Sequence, residues 1–258
     1  MSDHHARIDT PGYLARIGVA GRPTADGETL RRLQVAHLQS VPFENLDIGA
    51  GRAISLDIPA LQSKIVRRRR GGFCYELNGL FAELLEDLGF AVARLAAETW
   101  SDETGWGPPF DHLVLRVELE RPWLVYVGFG DGFREPMPLL HGAEQPDPSG
   151  ATFGLTHTDA GWRVWKRFPG GDQKTLLFRF QEEPHGLAEF EPACRWQQTG
   201  SPFFTGHRIV ELMTPDGRRV LYDDRSITHV GPERHERPVS EAEVHGILRE
   251  QFGIEIGP

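Results

Sequence analysis

Apolar positions recur with a helical period twice in the first third of the chain. In ETLRRLQVAHLQSV (28–41), Leu30, Leu33, Ala36, Leu38 and Val41 approximate one helix stripe, which Pro42 breaks. After Cys74 the pattern sharpens: Leu77, Leu80, Phe81, Leu84, Leu85 and Leu88 fall at i, i+3, i+4, i+7, i+8 and i+11. That spacing predicts an amphipathic helix ended by Gly89. From residue 90 the texture changes to short runs rich in β-branched and aromatic residues, split by Gly, Pro and Asp: FAVARLAAETW, DHLVLRVELE, PWLVYVGFG, GWRVWKRF and TLLFRFQE. RIVELMTPDGRRVLYDD predicts a hairpin around Pro-Asp-Gly. In SEAEVHGILREQF, Ser240 and Glu243 form a capping box, and Val244, Ile247 and Leu248 the face of a last helix. Helices first, then strands, then a hairpin with a final helix is the segregated order of an α+β fold. HGAEQPDPSGA (141–151) reads as a long loop, either an insertion or a lid.

Composition narrows the function more than the fold. The chain has 258 residues and a net charge of −9, which argues against a nucleic-acid surface. The run Arg67–Arg70 is the exception; it reads as the solvated last turn of a helix stopped by Gly71 and Gly72. No window approaches the run of about 18 apolar residues that spans a membrane, and MSDHHARIDTPGY lacks the apolar stretch of a signal peptide. Two cysteines are too few for a disulfide framework, so a reduced, cytoplasmic setting with free thiols is expected.

Cys74 lies at the start of the predicted helix, directly after Gly71-Gly72-Phe73. Free N–H groups and the positive dipole end there favour a thiolate. A small buried hydrophobe is the competing role for any free cysteine, and it is the one expected for Cys194. A cysteine nucleophile needs a base close in space. Among eleven histidines, most in polar surroundings, His112 differs by opening a strand directly after a Gly/Pro-rich loop. No pair has the HxxxH or CxxC spacing of a metal site. GFGDGF (128–133) is followed by REPMPL, which cannot start the helix that a nucleotide loop requires. It reads instead as a strand end turning beside a pocket.

Four stretches together resemble the arylamine N-acetyltransferases: VPFENLDI (41–48), RRGGFCYELNGLF (69–81) with its RGGxCxExN pattern, DHLVLRVE (111–118) and VGFGDGFREPMPL (127–139). GSPFFTGH (200–207) is similar to that family's Ser-Pro segment. The resemblance implies an α+β architecture with a cysteine-protease or transglutaminase-like core. Residues 1–89 would form a helical bundle carrying the nucleophile, 90–195 a β-barrel carrying the histidine and the third triad position, and 196–258 an α/β lid. It implies a ping-pong reaction in which acetyl-coenzyme A acetylates Cys74, coenzyme A leaves, and an arylamine or hydrazine takes the acetyl group, with His112 as base. Phe43, Phe129, Gly130 and Phe203 would line the substrate pocket, and coenzyme A would lie in the groove between barrel and lid. No metal, nucleic acid or membrane is implied.

One position departs from the family pattern. The triad aspartate precedes V-G-F-G in the family, and here that place is Tyr126. An aspartate would fix the tautomer of His112 and stabilise the imidazolium paired with the thiolate. A phenol supplies no charge, and the difference between charged and neutral hydrogen bonds is about 1–2 kcal/mol, roughly 5- to 30-fold in ion-pair population. Asp131 lies five residues on and could return only through a sharp turn. Impaired or altered catalysis is therefore expected. The alternatives are a non-catalytic coenzyme A or ligand-binding homologue, or a macrolactam-type amide synthase.

Overall fold

Leu77, Leu80, Phe81, Leu84 and Leu85 are all fully buried, and so are Tyr75 and Asn78 on the other faces of the same helix. That helix, α5 (Cys74–Asp87), is covered on every side except at Glu83, Glu86 and Asp87 near its end, and forms the axis of the N-terminal unit in the computed structural model, which describes residues 8–256. Around it stand α1 (Thr10–Arg16), α2 (Gly27–Ser40), α3 (Leu46–Gly49) and α4 (Ile58–Gln62). Asp26 caps α2 by accepting the Thr29 N–H at 2.8 Å, and α2 ends at Ser40, before Pro42, as the sequence predicts. Gly89, at φ +98°, closes α5. Each large side chain buried in this way contributes about 1.5–3 kcal/mol.

The arginine run departs from expectation. Residues 63–67 form a π-helical turn, and while Arg67, Arg68 and Arg69 are exposed, Arg70 is buried. Its Nη2 stands 2.7 Å from Glu44 and 3.2 Å from Asp47. Lys64 pairs in turn with Asp47 at 2.7 Å and Glu76 at 2.8 Å. This buried ionic network knots the segment before Cys74 to residues 44–47.

Strand β1 (Phe43–Glu44) precedes α3, and β2 (Ala91–Ser101) follows α5. With β2 begin β3 (Gly105–Trp106), β4 (His112–Glu118), β5 (Pro122–Val125), β6 (Met137–Pro138), β7 (Glu144–Pro146), β8 (Thr152–Thr158), β9 (Gly161–Arg167) and β10 (Lys174–His185). They make one antiparallel, barrel-like sheet in the order β6-β5-β4-β2-β10-β9-β8-β7, with β3 on β2. Strand β4 is buried on both faces: Leu113, Leu115 and Val117 join the core around α5, while Val114 enters the barrel core with Leu124, Tyr126 and Phe178. Two cores thus meet across the strand that His112 opens. Within the expected loop at 141–151, Glu144–Pro146 form the barrel's edge strand by pairing with β8, and the residues on either side stay turn-like.

The chain then forms α6 (Glu191–Thr199), α7 (Pro202–Gly206) and a second sheet of β11 (Ile209–Thr214), β12 (Gly217–Tyr222), β13 (Arg225–Val230) and β14 (Glu233–Pro238). Helix α8 (Glu241–Phe252), with the predicted Ser240–Glu243 cap, packs Val244, Ile247 and Leu248 against this sheet's Val210 and Leu221. The predicted hairpin is β11–β12, but β13 and β14 extend it; ERHERP is exposed throughout and carries no alternating apolar signal. Strand β1 completes the sheet by pairing with β11, so the N-terminal unit contributes a strand to the C-terminal one. No helix among the described residues is long and apolar enough to cross a membrane.

Candidate active site

Cys74 is the first residue of α5, and the two glycines before it answer to close packing. A Cβ at Gly71 would overlap the Pro42 carbonyl, and the Glu44 N–H donates to the Gly72 carbonyl at 2.8 Å. Glu76 reaches back to accept the Phe73 N–H at 3.1 Å, satisfying one of the free donors of the first turn. Burial pushes the Glu76 carboxyl up to about 7, against the pull of Lys64.

Asn78, one turn further on and fully buried, gathers the site. Its Nδ2 donates to the carbonyls of Cys74 at 3.1 Å and Leu113 at 2.9 Å, and its Oδ1 accepts the Val127 N–H at 2.7 Å. One side chain thus ties the backbone of Cys74 to the residue after His112 and the residue after Tyr126. Gly128 presses on the same place, since a Cβ there would stand 2.9 Å from Cys74 Cα. The Tyr75 hydroxyl donates to the carbonyls of Phe110 at 2.8 Å and Asp111 at 2.9 Å, holding the start of β4 from the other side.

The His112 ring is buried among Phe129, Phe178 and Tyr126, with ring centroids 5.1, 5.3 and 6.3 Å away. Its Nε2 has no hydrogen-bond partner among the described residues. Tyr126, just past the end of β5, is fully buried and stacks edge-on against Phe133 at 4.4 Å. Its hydroxyl lies over Gly132, where any Cβ would overlap it, and beside the Phe133 amide without hydrogen-bonding geometry. The phenol makes no hydrogen bond to His112. Nor does a neighbouring acid replace it. Asp111 turns to Thr99 and to Gln197 Nε2 at 2.6 Å, and Asp131 is held by Lys166 and Arg218, both at 2.6 Å.

These surroundings decide the resting charges. Burial raises the Cys74 thiol well above its ordinary pKa, with Asp111 and Cys194 adding, while the Tyr75 and Leu113 amides oppose. Burial alone lowers His112 to about 3. The helix start does favour the thiolate, as expected from the sequence, but desolvation outweighs it. At pH 7 the pair therefore rests as neutral thiol and neutral imidazole. Alkylation of Cys74 by iodoacetamide, followed by peptide mapping, should accelerate about tenfold per pH unit from pH 6 to 9, since only the thiolate reacts. A rate plateau below pH 7 would reveal a standing ion pair and contradict this account.

Phe43 and Phe203 reach the site through Phe204, whose ring lies 6.4 Å from Phe43, 5.2 Å from Phe203 and 5.6 Å from Phe73, the residue before Cys74. Phe129 touches His112 directly, and Gly130 turns the chain at φ +76°. Cys194 is buried on α6 with Gln198 Nε2 at 3.4 Å, in a packing role. No group of three metal-ligating side chains occurs among the described residues. The sequence carried no sign of Phe178 beside His112 or of the bonds made by the Tyr75 hydroxyl. Asn78 stood in the quoted pattern without a role.

A family model described as N-acetyltransferase matches residues 26–257. The arylamine N-acetyltransferase of Mycolicibacterium smegmatis is 36% identical over 261 aligned positions, covering 97% of this chain and 93% of that one. Among solved structures, the arylamine N-acetyltransferase from Salmonella typhimurium superposes with a TM-score of 0.90 at 28% identity, covering 96% of this chain and 92% of that one. That of Mycobacterium marinum in complex with CoA gives 0.87 at 28% identity, over 95% and 93% of the two chains.

Proposed function

This chain belongs to the arylamine N-acetyltransferase family, and on that premise we propose that it moves an acetyl group from acetyl-coenzyme A through a Cys74 thioester to an arylamine or hydrazine. The observation that carries this is the position of Asn78, whose amide draws the neighbourhoods of Cys74, His112 and Tyr126 to one point. The chain divides accordingly into 1–89 with the nucleophile, 90–195 with the base, and 196–258 as lid, with β1 shared between the first and last.

In the first half-reaction the Cys74 sulfur attacks the acetyl carbonyl as His112 takes the thiol proton. The bond to the coenzyme A sulfur breaks, and coenzyme A leaves as a thiol with that proton. In the second, the amine nitrogen attacks the Cys74 thioester; a C–N bond forms, the C–S bond breaks, and His112 passes the amine proton to sulfur. Because the pair rests neutral, proton transfer accompanies attack, and the imidazolium formed on the way has no carboxylate beside it. Slow turnover is the consequence.

Incubation with acetyl-coenzyme A should add one acetyl mass, mapped to the Cys74 peptide and discharged by an added arylamine. An adduct on another residue, or none while coenzyme A still binds, would sink the proposal in favour of a non-catalytic ligand-binding homologue.

A further inference from the structure

A charged cluster beside the Gly128-Phe129-Gly130 strip takes no part in that chemistry. Glu211 stands opposite Phe43 in the β1–β11 pair. Its Oε1 accepts from Arg218 Nη1 at 3.0 Å; Arg218 also holds Asp131, which holds Lys166. Glu211 Oε2 accepts no hydrogen bond among the described residues and lies against Gly130, where a Cβ would stand 2.7 Å from it. Gly130 is only two residues past Gly128, which rests on Cys74 Cα, and two residues of chain reach at most about 7 Å. The open carboxylate oxygen thus lies along the same strip as Cys74, at most about 7 Å of chain beyond the Gly128 contact, next to Phe129 in sequence and opposite Phe43 across the strand pair.

We propose that Glu211 reads the far end of the amine acceptor, favouring acceptors that carry a hydrogen-bond donor, above all an ammonium, opposite the reacting nitrogen. The inference rests on the acyl-transfer function above. An ionised carboxylate with a free oxygen can only accept. The two cations of the cluster, Arg218 and Lys166, are already engaged by Asp131 and Glu211, so none is left to receive a carboxylate-bearing acceptor. Burial, helped by Asp131 and opposed by Arg218 and Lys166, raises Glu211 to about 7. Its charge is therefore complete only above neutrality, and the preference strengthens as pH rises through 7.

Three para-substituted anilines test this: 4-(aminomethyl)aniline, 4-methylaniline and 4-aminobenzoate. In the wild type, kcat/KM for the ammonium acceptor should exceed that for the methyl acceptor about tenfold at pH 8, the scale of one charged hydrogen bond, and by less at pH 6. The carboxylate acceptor should be poorest. In Glu211→Gln the ammonium-to-methyl ratio should collapse toward one, and comparing wild type with variant cancels each amine's intrinsic nucleophilicity. If the variant does not fold, the pH dependence of the wild-type ratio decides alone. Equal use of the three amines, or a preference for the carboxylate, overturns this inference and leaves the acyl-transfer function intact. Transfer to none of them overturns both.

Discussion

Replacing Asn78 by alanine should lower acetyl transfer about 100-fold or more, measured as kcat/KM on folded protein. The reason is geometric. Three segments far apart in sequence, around residues 74, 113 and 127, are tied through one amide, with donor–acceptor distances of 3.1, 2.9 and 2.7 Å. Without it the strand after His112 and the chain after Tyr126 no longer share a reference with α5. A misplacement of about 1 Å between reacting groups costs about 10²-fold. Stability should fall as well. The Val127 N–H loses the acceptor given by Asn78, and leaving a buried donor unpaired costs about 1–3 kcal/mol, to which the vacated space adds. Asn78→Asp separates the two effects. It keeps an acceptor for Val127 but turns an oxygen toward the carbonyls of Cys74 and Leu113, so the site should be disturbed more than the core. Near-normal kcat/KM in folded Asn78→Ala would show that Gly128 and Tyr75 alone suffice to align the pair.

What could be read from the sequence was whatever local period or a short motif carries. Helix α5, its Gly89 stop and the Ser240–Glu243 cap depend on residues within a few positions of one another, and they stand where the pattern put them. Arg70 could not be read that way. Its neighbours suggest a solvated helix end, and only the fold brings Glu44, 26 residues earlier, against its guanidinium. The edge strands β7 and β14 were missed because their side chains are largely exposed and their pairing is made by backbone, which leaves no alternation. For the site, the resemblance supplied Cys74, His112 and the odd residue at 126. It gave no sign that the Tyr126 phenol would turn toward Gly132, because that depends on a glycine six residues on having no side chain. The cost of burying Cys74 was equally hidden: a helix start is visible in sequence, and the depth of the pocket around it is not.

Tyr126→Asp should raise the acetylation rate at pH 7 about 5- to 30-fold per folded molecule while making the protein markedly less stable. The gain comes from charge. A carboxylate at the edge of the ring cluster would favour the imidazolium, raising the His112 pKa and lowering that of Cys74, so the alkylation profile should acquire a plateau near neutrality. The loss comes from packing. The phenol ring touches Phe133, Phe178 and Phe129, at centroid distances of 4.4, 5.8 and 6.0 Å, and removing a buried aromatic ring costs about 3–5 kcal/mol. At about 2–4 °C per kcal/mol for a chain of this size, Tm should drop by roughly 10 °C. Tyr126→Phe supplies the control. The hydroxyl has no partner, so its removal should change neither the rate beyond about twofold nor the pH profile, and it should relieve a buried unpaired group. Should Tyr126→Phe instead abolish transfer, the phenol would have to bond His112 during catalysis, and the neutral, unsupported histidine described above would be wrong. Should Tyr126→Asp fold yet leave the profile unchanged, the barrier would lie in the burial of Cys74, and no charge placed at 126 could reach it.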